Sequence, residues 1–378
     1  MKSDPTCRIC GEQVDIMVLH LKRDHGLNEN EVKDYFDKYP EDPKMSQKAL
    51  KSAAEMKKKK SQKGTSVPLT DLFQIEGDGL TKRGKPLMIE VLDAPEELSH
   101  MVPRFDTNFV FDEEILKTCL MTLALNMRGY LFGHSGVGKS TIWENICAKT
   151  NRPMVRVQHS INVEEIHVTG QWLAAPVETP DGSVITVTKF QPGPLAEAMR
   201  KGLVYVADEY DRIHPTVASV YQAVMEGKPL HIKDADEEWR IVEPHPNFRF
   251  VGTGNSNGAG DESGLYQAVV TQDAANFERW DVVQKVEYMP RHAEIQVVMK
   301  QANLNKPEAE KVIDFCIAMR QSYPHDISLT PGPRVAIRIG KLGIIKGDFN
   351  LAVDLAFGNR LPEAEGEAAR LVAQRYFG

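Results

Sequence analysis

The stretch Gly133-His134-Ser135-Gly136-Val137-Gly138-Lys139-Ser140 decides the fold of this 378-residue chain, because it matches the pattern G-x-x-x-x-G-K-[ST] in full. A short apolar run, Gly129-Tyr130-Leu131-Phe132, precedes it, and a segment of helical character begins at Thr141. In this context the glycines let backbone N–H groups turn inward around an anion at a helix N-terminus. The sequence therefore predicts a phosphate-binding loop between a strand and a helix of an α/β fold.

The residues of this loop have distinct expected roles. The Lys139 ammonium is expected to reach the β- and γ-phosphates, and the Ser140 hydroxyl to ligate Mg²⁺. His134 and Ser135 are expected to act through their backbone rather than their side chains. The predicted nucleotide-binding residues are Gly133, His134, Ser135, Gly136, Val137, Gly138, Lys139, Ser140, Thr141 and Asp208.

Two further strands are predicted to end in polar residues beside the loop. Leu203-Val204-Tyr205-Val206-Ala207 is a continuous apolar run, typical of a strand buried on both faces, and it ends in Asp208-Glu209. An acid at the carboxyl end of such a strand lies next to the phosphate loop. Asp208 is therefore expected to hold the Mg²⁺ shell and Glu209 to be the general base, with a helix N-cap as the alternative. The run from Phe248 ends in Asn255, which is expected to hydrogen-bond the same water or the γ-phosphate unless it is a turn residue.

The nucleotide is expected to be ATP, and Glu209 favours its hydrolysis. A guanine-specifying N-K-x-D motif is missing, since its nearest approach, Asn305-Lys306-Pro307-Glu308, ends in the wrong acid. An arginine that meets the developing charge speeds phosphoryl transfer by about 10³–10⁵-fold. Arg279 precedes a predicted strand and is expected to reach a neighbouring subunit, whereas Arg334 opens a helix and is expected to fold back onto the nucleotide. A surface salt bridge is the alternative for each arginine.

The first forty residues contain the pattern Cys7-x2-Cys10-x9-His20-x4-His25. Two cysteines followed by two histidines supply the four ligands of a tetrahedral Zn²⁺ site. So short a module rarely folds without a metal, and Zn²⁺ is expected to provide its folding energy. The nine residues between Cys10 and His20 are fewer than the twelve of the common nucleic-acid-binding finger. The alternative is a chance CxxC on a small helical cap.

Composition is that of an ordinary globular protein. There are 46 Lys+Arg and 53 Asp+Glu, a net charge of -7, and 42% apolar residues. Apolar stretches are far shorter than the ~20 residues of a membrane span. The polar N-terminus has no signal-peptide core, so a cytoplasmic protein is expected. From Pro43 to Lys63, eight lysines accompany one acid, which predicts a solvated tether or a polyanion partner such as nucleic acid bound through residues 1–63.

Several stretches beyond the phosphate loop together carry a family resemblance. They are Asn151-Arg152-Pro153-x-Val155-Arg156-Val157, Asp208-Glu209-Tyr210-Asp211, Pro244-His245-Pro246-x-Phe248-Arg249, Gly254-Asn255, the run from Gly258 to Tyr266, Glu278-Arg279-Trp280 and Pro333-Arg334. With them, residues 109–378 resemble the small, AAA+ subunits of the aerobic, ATP-dependent cobaltochelatases (CobS-like proteins) within the MoxR-like group. The run from Gly258 to Tyr266 is the most specific of these, because generic ATPases lack it.

The resemblance implies a homo-oligomeric ring, expected to be hexameric, that couples ATP hydrolysis to the remodelling of a partner. In the chelatase, the partner complex inserts Co²⁺ into a corrin-type ring during cobalamin biosynthesis, and the tetrapyrrole site is on another, larger subunit. MoxR-like relatives also carry a pore-facing hairpin in the second helix. Gln171 to Phe190 matches it by the alternation of its residues and by the turn Thr179-Pro180-Asp181-Gly182-Ser183. Residues 1–63 depart from the chelatase subunit and suggest an added targeting domain, as in a phage-encoded version. The alternative function is therefore a MoxR-like remodelling ATPase, for example a viral one, that its zinc finger brings to nucleic acid or protein.

The predicted fold is a parallel α/β sheet of the P-loop AAA+ type, sandwiched by helices. A C-terminal helical lid and a small N-terminal zinc-finger-like module complete it. The predicted boundaries are 1–40 for the zinc module, 41–70 for the lysine-rich linker, 71–108 for a lead-in segment, 109–290 for the nucleotide-binding core and 291–378 for the lid.

Overall fold

The computed structural model of the protein describes residues 5–14, 17–39, 64–73, 75, 79–81, 84–178, 184–260 and 269–378. The chain divides into two compact units, Met1–Lys63 and Gly64–Gly378. The lysine-rich run at 43–63 and most of the stretch 258–266 lie outside the described residues. The finer domain boundaries stay predictions. Within the described ranges, no helix has both the length and the apolar content needed to cross a bilayer.

The described residues of the N-terminal unit contain two helices, α1 (Met17–Asp24) and α2 (Glu29–Lys38). A capping box begins α2. The Asn28 side chain accepts hydrogen bonds from the backbone N–H groups of Asn30 and Glu31, and the Glu31 side chain accepts one from the Asn28 N–H. Among the described residues of this unit, few apolar side chains are buried. They are Cys7, Met17, Leu21, Val32 and Tyr35, with partly buried residues such as Val18 and Phe36 packed against them. A core this small needs a further cross-link to be stable.

Strands and helices alternate along most of the second unit. Its strands are β1 (Thr65–Pro68), β2 (Met88–Val91), β3 (Gly129–Phe132), β4 (Met154–Gln158), β5 (Gly170–Glu178), β6 (Val184–Pro192), β7 (Val204–Asp208), β8 (Leu230–His231), β9 (Ile241–Val242), β10 (Arg249–Gly254) and β11 (Val282–Lys285). Its α-helices are α3 (Leu69–Leu72), α4 (Glu113–Ala124), α5 (Lys139–Lys149), α6 (Glu165–Thr169), α7 (Pro194–Lys201), α8 (Pro215–Met225), α9 (Ala274–Phe277), α10 (Arg291–Ala302), α11 (Lys306–Gln321), α12 (Pro333–Lys346), α13 (Phe349–Ala356) and α14 (Glu363–Phe377). Short 3₁₀ segments cover Glu96–Met101, Tyr210–Arg212 and Gly358–Arg360.

The central sheet has five parallel strands in the order β11-β3-β10-β7-β4. The strand before the phosphate loop, β3, therefore neighbours β10, and β10 neighbours β7. Because the strands are parallel, the carboxyl ends of these three meet at one edge of the sheet. That edge receives the phosphate loop, the Asp208-Glu209 pair and Asn255.

Alternating side chains along the central strands explain the helical layer on each face of the sheet. In β7, Tyr205 and Ala207 belong to the cluster formed with α7 and α8. Val204 and Val206 belong to the cluster formed with α4 and α5. Successive side chains of a strand point to opposite faces, so a strand that is apolar at every position needs cover on both sides. This arrangement confirms the predicted sheet between helical layers.

The helices α10 to α14 share a separate hydrophobic core and form the predicted C-terminal lid. A buried ion pair lies within it, where Arg320 donates two hydrogen bonds to Glu294, at 2.8 and 2.9 Å. Arg320 also donates to the carbonyl oxygen of Pro331 at 2.8 Å. This guanidinium therefore joins α10 and α11 to the segment before α12.

The strands β5 and β6 form an antiparallel hairpin between α6 and α7, paired from Gly170 with Pro192 to Glu178 with Val184. This confirms the hairpin predicted over 171–190. Its tip, residues 179–183, lies outside the described residues. That the hairpin faces a pore stays a prediction. At the start of the unit, residues of the predicted linker form β1, which pairs with β2 in antiparallel register.

Candidate nucleotide-binding site

The phosphate-binding loop connects β3 to α5 and is shaped by glycines in the left-handed region. Gly133, Gly136 and Gly138 have φ of 149°, 86° and 90°, which residues with a side chain rarely adopt. Space also demands glycine at the first position, since a Cβ at Gly133 would lie 2.1 Å from the carbonyl oxygen of Val286. The backbone thus has the curled form of an anion nest.

The ammonium group of Lys139 donates hydrogen bonds to oxygen atoms of the protein. Its Nζ donates to the carbonyl oxygens of Gly133 and His134 at 2.8 and 2.9 Å, and to Oδ1 of Asn255 at 3.2 Å. Burial lowers the pKa of Lys139 to about 8. The contact with Asn255 joins the loop to the end of β10.

Asp208, the last residue of β7, faces the loop. Its Oδ1 accepts a hydrogen bond from Oγ of Ser140 at 2.7 Å and another from Thr253. Its Oδ2 accepts from Nε of Arg156 at 2.8 Å. Burial alone would raise the pKa of Asp208, but the hydrogen bonds from Thr253 and Ser140 and the charge of Arg156 outweigh it and hold this pKa below its usual range. The carboxylate is therefore ionised and oriented towards Ser140.

Glu209 follows with φ 54° and ψ 42°, in the left-handed region. A non-glycine residue there costs about 1–3 kcal/mol, and such residues cluster at functional sites. The Glu209 side chain is 27% exposed. Its Oε2 accepts from Nε2 of Gln158 at 3.1 Å and from Arg212 at 3.0 Å. Because the backbone turns at Glu209, the side chains of Asp208 and Glu209 bind different hydrogen-bond partners.

A buried acid that was named only within the resemblance stretch Asp208-Glu209-Tyr210-Asp211, and given no role there, holds the tip of β10. Oδ2 of Asp211 accepts from the backbone N–H groups of Asn255 at 2.6 Å and Ser256 at 2.9 Å. Burial raises the pKa of Asp211, against the opposing effect of these donors. The available signal was its position three residues after Asp208. Arg156 was named only within a stretch of the family resemblance, and Gln158 at the end of the same strand lies in no motif, so neither residue was given a role.

A cavity of about 180 Å³ lies between the loop and the lid. Arg334, near the start of α12, packs over the loop, since a Cβ at Gly136 would lie 3.6 Å from Cγ of Arg334. The lining residues include Phe109, Gly138, Thr141, Val298, Arg334 and Ile337. Apolar walls with a phosphate nest at one end suit a nucleotide, which has an apolar base and a charged tail.

Arg279, between α9 and β11, forms an ion pair within its own chain. Its Nε and one terminal nitrogen donate to Oε1 of Glu226 at 3.0 and 2.8 Å. Glu226 is the C-cap residue that follows α8. The structure therefore brings the loop, Asp208 and Asn255 together, with Arg334 beside them, while Arg279 is held by an acid of another element.

A second cluster of predicted ligands lies in the N-terminal unit. The ligand atoms of Cys7, Cys10, His20 and His25 all lie within 4.8 Å of one another. Nε2 of His20 is 3.2 Å from Sγ of Cys10, and Nε2 of His25 is 3.4 Å from Sγ of Cys7. A carboxylate oxygen of Asp24 lies 2.8 Å from Nδ1 of His20. This contact orients the His20 ring so that Nε2 faces the other three ligand atoms.

Comparison with known proteins connects the site to a family. The sequence model of the family of AAA domains of the dynein-related subfamily matches residues 130–271. This range includes the phosphate loop, Asp208 and Glu209. The aerobic cobaltochelatase subunit CobS of Sinorhizobium sp is 31% identical over 284 residues, covering 73% of this chain and 83% of the relative. The gas vesicle ATPase GvpN of Ancylobacter aquaticus is 24% identical over 268 residues, covering 68% and 72%. Among solved structures, the RuvB Holliday junction branch migration motor of Thermotoga maritima aligns over 68% of this chain and 72% of its own, at 15% identity and a TM-score of 0.40.

Proposed function

The chain belongs to the family of CobS, a family of AAA+ ATPases, and we propose that it couples ATP hydrolysis in a homo-oligomeric ring to the remodelling of a partner. The observation that carries this proposal is the meeting of the phosphate loop with two strand ends. Ser140 donates to Asp208 at 2.7 Å, and Lys139 donates to Asn255 at 3.2 Å. These four groups are close enough to act on one triphosphate and its metal ion.

The residues at this point fit ATP and Mg²⁺. Mg²⁺ prefers oxygen ligands, and the Ser140 hydroxyl and Asp208 carboxylate would hold it and its water shell. When bound, the ion neutralises charge on the phosphates. Lys139 would exchange its two carbonyl acceptors for the β- and γ-phosphates, because hydrogen bonds between charged groups are stronger than those to neutral carbonyls. The other loop residues, from Gly133 to Thr141, would bind the phosphates mainly through backbone N–H groups.

Glu209 is the general base of the proposed reaction. Its carboxylate would leave Gln158 and Arg212 and accept a proton from the attacking water, a contribution of about 10²–10⁴-fold to the rate. Asn255 would orient that water or the γ-phosphate. Arg334 would meet the negative charge that develops on the phosphoryl oxygens, from the lid side of the site.

The ring is proposed because Arg279 would serve the site of a neighbouring subunit. In one chain its guanidinium is bound to Glu226. An arginine supplied across an interface contributes about 10³–10⁵-fold to phosphoryl transfer. Hydrolysis would then need at least two subunits, and a closed ring, expected to be hexameric, gives every site a neighbour.

Two candidates remain for the partner that the motor remodels. Cobalt insertion is the first, because the relative CobS is named as a cobaltochelatase subunit. Chelatase-type partner subunits would then bind the tetrapyrrole, and Co²⁺ would be cargo rather than a cofactor of this chain. The second is a MoxR-like remodelling ATPase that the N-terminal unit brings to nucleic acid or protein. The Cys/His cluster favours it, because a small metal-bound unit adds a recognition surface and no group for hydrolysis.

Zn²⁺ is the proposed metal of the N-terminal cluster. Two thiolates and two imidazoles are the donor set of structural zinc sites, and the separation of the ligand atoms by at most 4.8 Å fits ligands that share one ion. Asp24 supplies the carboxylate that commonly orients a ligating histidine. The small core of this unit makes metal binding a source of its folding free energy.

The proposed function is tested by replacing Glu209 with Gln, which removes the base but keeps the size of the side chain. We expect Glu209→Gln to bind ATP with native affinity while hydrolysis falls by about 10²–10⁴-fold. Phosphate release and titration with a fluorescent ATP analogue measure the two properties separately. The matched control is Glu238→Gln, since Glu238 is 72% exposed and paired with Arg200; this variant should hydrolyse ATP at the native rate. Native turnover by Glu209→Gln would refute the assignment of the base.

A further inference from the structure

A buried chain of hydrogen bonds ends on the peptide bond between Asp208, the last residue of β7, and Glu209. It runs from Tyr205 on β7 through Tyr221 on α8 to His159, which follows β4, and His159 contacts the carbonyl oxygen of Asp208. Tyr205, Tyr221 and His159, whose side chains form this chain, are at most 1% exposed. None of the three is among the residues assigned above to the nucleotide or to hydrolysis.

The chain is continuous, and its direction follows from what each atom can donate. The hydroxyl oxygens of Tyr205 and Tyr221 are 2.6 Å apart, and that of Tyr221 is 2.7 Å from Nε2 of His159. Nδ1 of His159 is 3.1 Å from the carbonyl oxygen of Asp208. A carbonyl oxygen can only accept, so Nδ1 carries the proton. Nε2 then accepts from Tyr221, and Tyr221 accepts from Tyr205.

Both nitrogens of the His159 ring are therefore used in the neutral form. Burial lowers the pKa of His159 to about 4. A neutral imidazole offers one donor and one acceptor, and here the donor faces Asp208 and the acceptor faces Tyr221. The tautomer that donates to Asp208 is the one that Tyr221 selects.

The Asp208 carbonyl receives two donors from the same residue. The backbone N–H of His159 donates to it at 2.8 Å, in addition to Nδ1–H. This carbonyl belongs to the peptide whose other end is the N–H of Glu209, so holding it sets the plane from which Glu209 turns to φ 54°. A residue in that region persists only where its surroundings determine its conformation strongly. The His159 donors are such a restraint.

We propose that His159 is a positioning residue for ATP hydrolysis, which holds the Asp208 carbonyl and thereby keeps Glu209 in the backbone conformation that presents its carboxylate to the attacking water. The inference rests on the proposed role of Glu209 as the base. His159 acts through a peptide bond and not by contact with the nucleotide. Misplacing a catalytic group by about 1 Å costs on the order of 10²-fold in rate.

Two substitutions of His159 distinguish the role of its Nδ1–H donor from a role of its side chain in packing. The side-chain nitrogen of Asn can occupy the position of Nδ1, so His159→Asn keeps a donor to Asp208, whereas that of Gln occupies the position of Nε2 and loses it. We expect His159→Gln to lower kcat by about 10- to 100-fold, with KM for ATP changed by less than about twofold. His159→Asn should keep most of the native kcat. A role in packing alone would damage both variants alike.

Tyr221→Phe tests the chain by removing one hydroxyl without changing the ring. We expect kcat to fall by several-fold at unchanged KM, because Nε2 of His159 loses the donor that selects its tautomer. The matched control is Tyr210→Phe. Tyr210 is buried beside Tyr221, with ring centroids 6.4 Å apart, and its hydroxyl has no hydrogen-bond partner within the described part of the chain. Its loss should leave kcat at the native value.

Each outcome decides between defined alternatives. Native kcat in both His159→Gln and Tyr221→Phe, with hydrolysis lost in Glu209→Gln, overturns the inference and leaves the proposed function standing. Equal loss of kcat in His159→Asn and His159→Gln overturns it as well. Native turnover by Glu209→Gln refutes the proposed base, which is a different failure. If thermal unfolding shows that His159→Gln does not fold, Tyr221→Phe decides, and an unchanged kcat there contradicts the inference.

Discussion

Asp208 and Glu209 are adjacent in the sequence, yet their carboxylates have different surroundings. Asp208 is 3% exposed, and Ser140 and Arg156 donate to its two oxygens. The Glu209 side chain is 27% exposed, and one of its carboxylate oxygens accepts hydrogen bonds from both Gln158 and Arg212. The left-handed backbone at Glu209 separates the two side chains. This difference suits the proposed roles, because a metal shell needs a held carboxylate, whereas a base needs one that water can reach.

Lys139 gives a prediction at this scale. In Lys139→Ala the phosphates lose a buried cationic donor, and hydrogen bonds to charged groups contribute about 1.5–3 kcal/mol. With the Coulomb attraction lost as well, we expect ATP affinity to fall by about 100-fold or more. Titration with a fluorescent ATP analogue measures the change. Lys201→Ala is the control, because Lys201 lies on the surface and pairs with Glu197; it should bind ATP normally. Native affinity in Lys139→Ala would contradict the assignment of the loop.

Residues that belong to a local motif could be predicted from the sequence, and their distant partners could not. The spacing from Gly133 to Ser140 determines the loop because its conformation depends on covalent neighbours. Asp211 contacts the backbone of Asn255, 44 positions away, only because the sheet places β7 beside β10. The same holds for His159, which is 49 positions from Asp208. No local pattern marks such contacts.

At the scale of elements, local patterns gave the strands but not their order. The continuous apolar run predicts β7, and every residue from Val204 to Asp208 is buried. Alternation and turn residues predict the hairpin of β5 and β6. The order β11-β3-β10-β7-β4 joins strands that are far apart in the chain. That order depends on how helices cover the two faces, which the period of one strand does not encode.

The N-terminal unit gives a prediction at the scale of elements. Its helices enclose only a small core, so we expect Zn²⁺ to hold them, at about one ion per chain. Cys7→Ser removes one ligand and should release the metal, as measured by elemental analysis of the purified full chain. Cys119→Ser is the control, because Cys119 is buried in α4, outside the cluster, and the variant should keep its zinc. If elemental analysis finds no zinc in the purified, unmutated protein, Zn²⁺ is excluded as the metal of this cluster.

For the whole second unit, the position of the cavity suits the proposal that hydrolysis produces movement. Its wall combines Gly138 of the loop with Val298 and Arg334 of the lid. ATP held there would contact both parts, so its conversion to ADP and phosphate changes the contacts that hold the lid against the core. Closure of a lid on a bound nucleotide and its reopening after the reaction are common gating steps in enzymes.

The last prediction concerns the assembly, because Arg279 would act on a neighbouring site. An Arg279→Ala chain keeps its own loop but offers no arginine, whereas a Lys139→Ala chain cannot hold ATP but still offers one. Each variant alone should hydrolyse ATP slowly. Mixed rings contain sites with an intact loop and an intact neighbouring arginine, so phosphate release at constant total protein should pass through a maximum at intermediate mixing ratios.

The control for these rings mixes Lys139→Ala with Glu209→Gln. Lys139 and Glu209 both act in the site of their own chain, so each variant chain has a defective site whatever its neighbour is. No mixture of the two restores a complete site, and turnover should stay low at every ratio. If Arg279 serves only to hold Glu226 in its own chain, its loss is likewise a defect of that chain. Mixtures of Arg279→Ala and Lys139→Ala would then show no maximum, and the proposal of an arginine shared across an interface would fail.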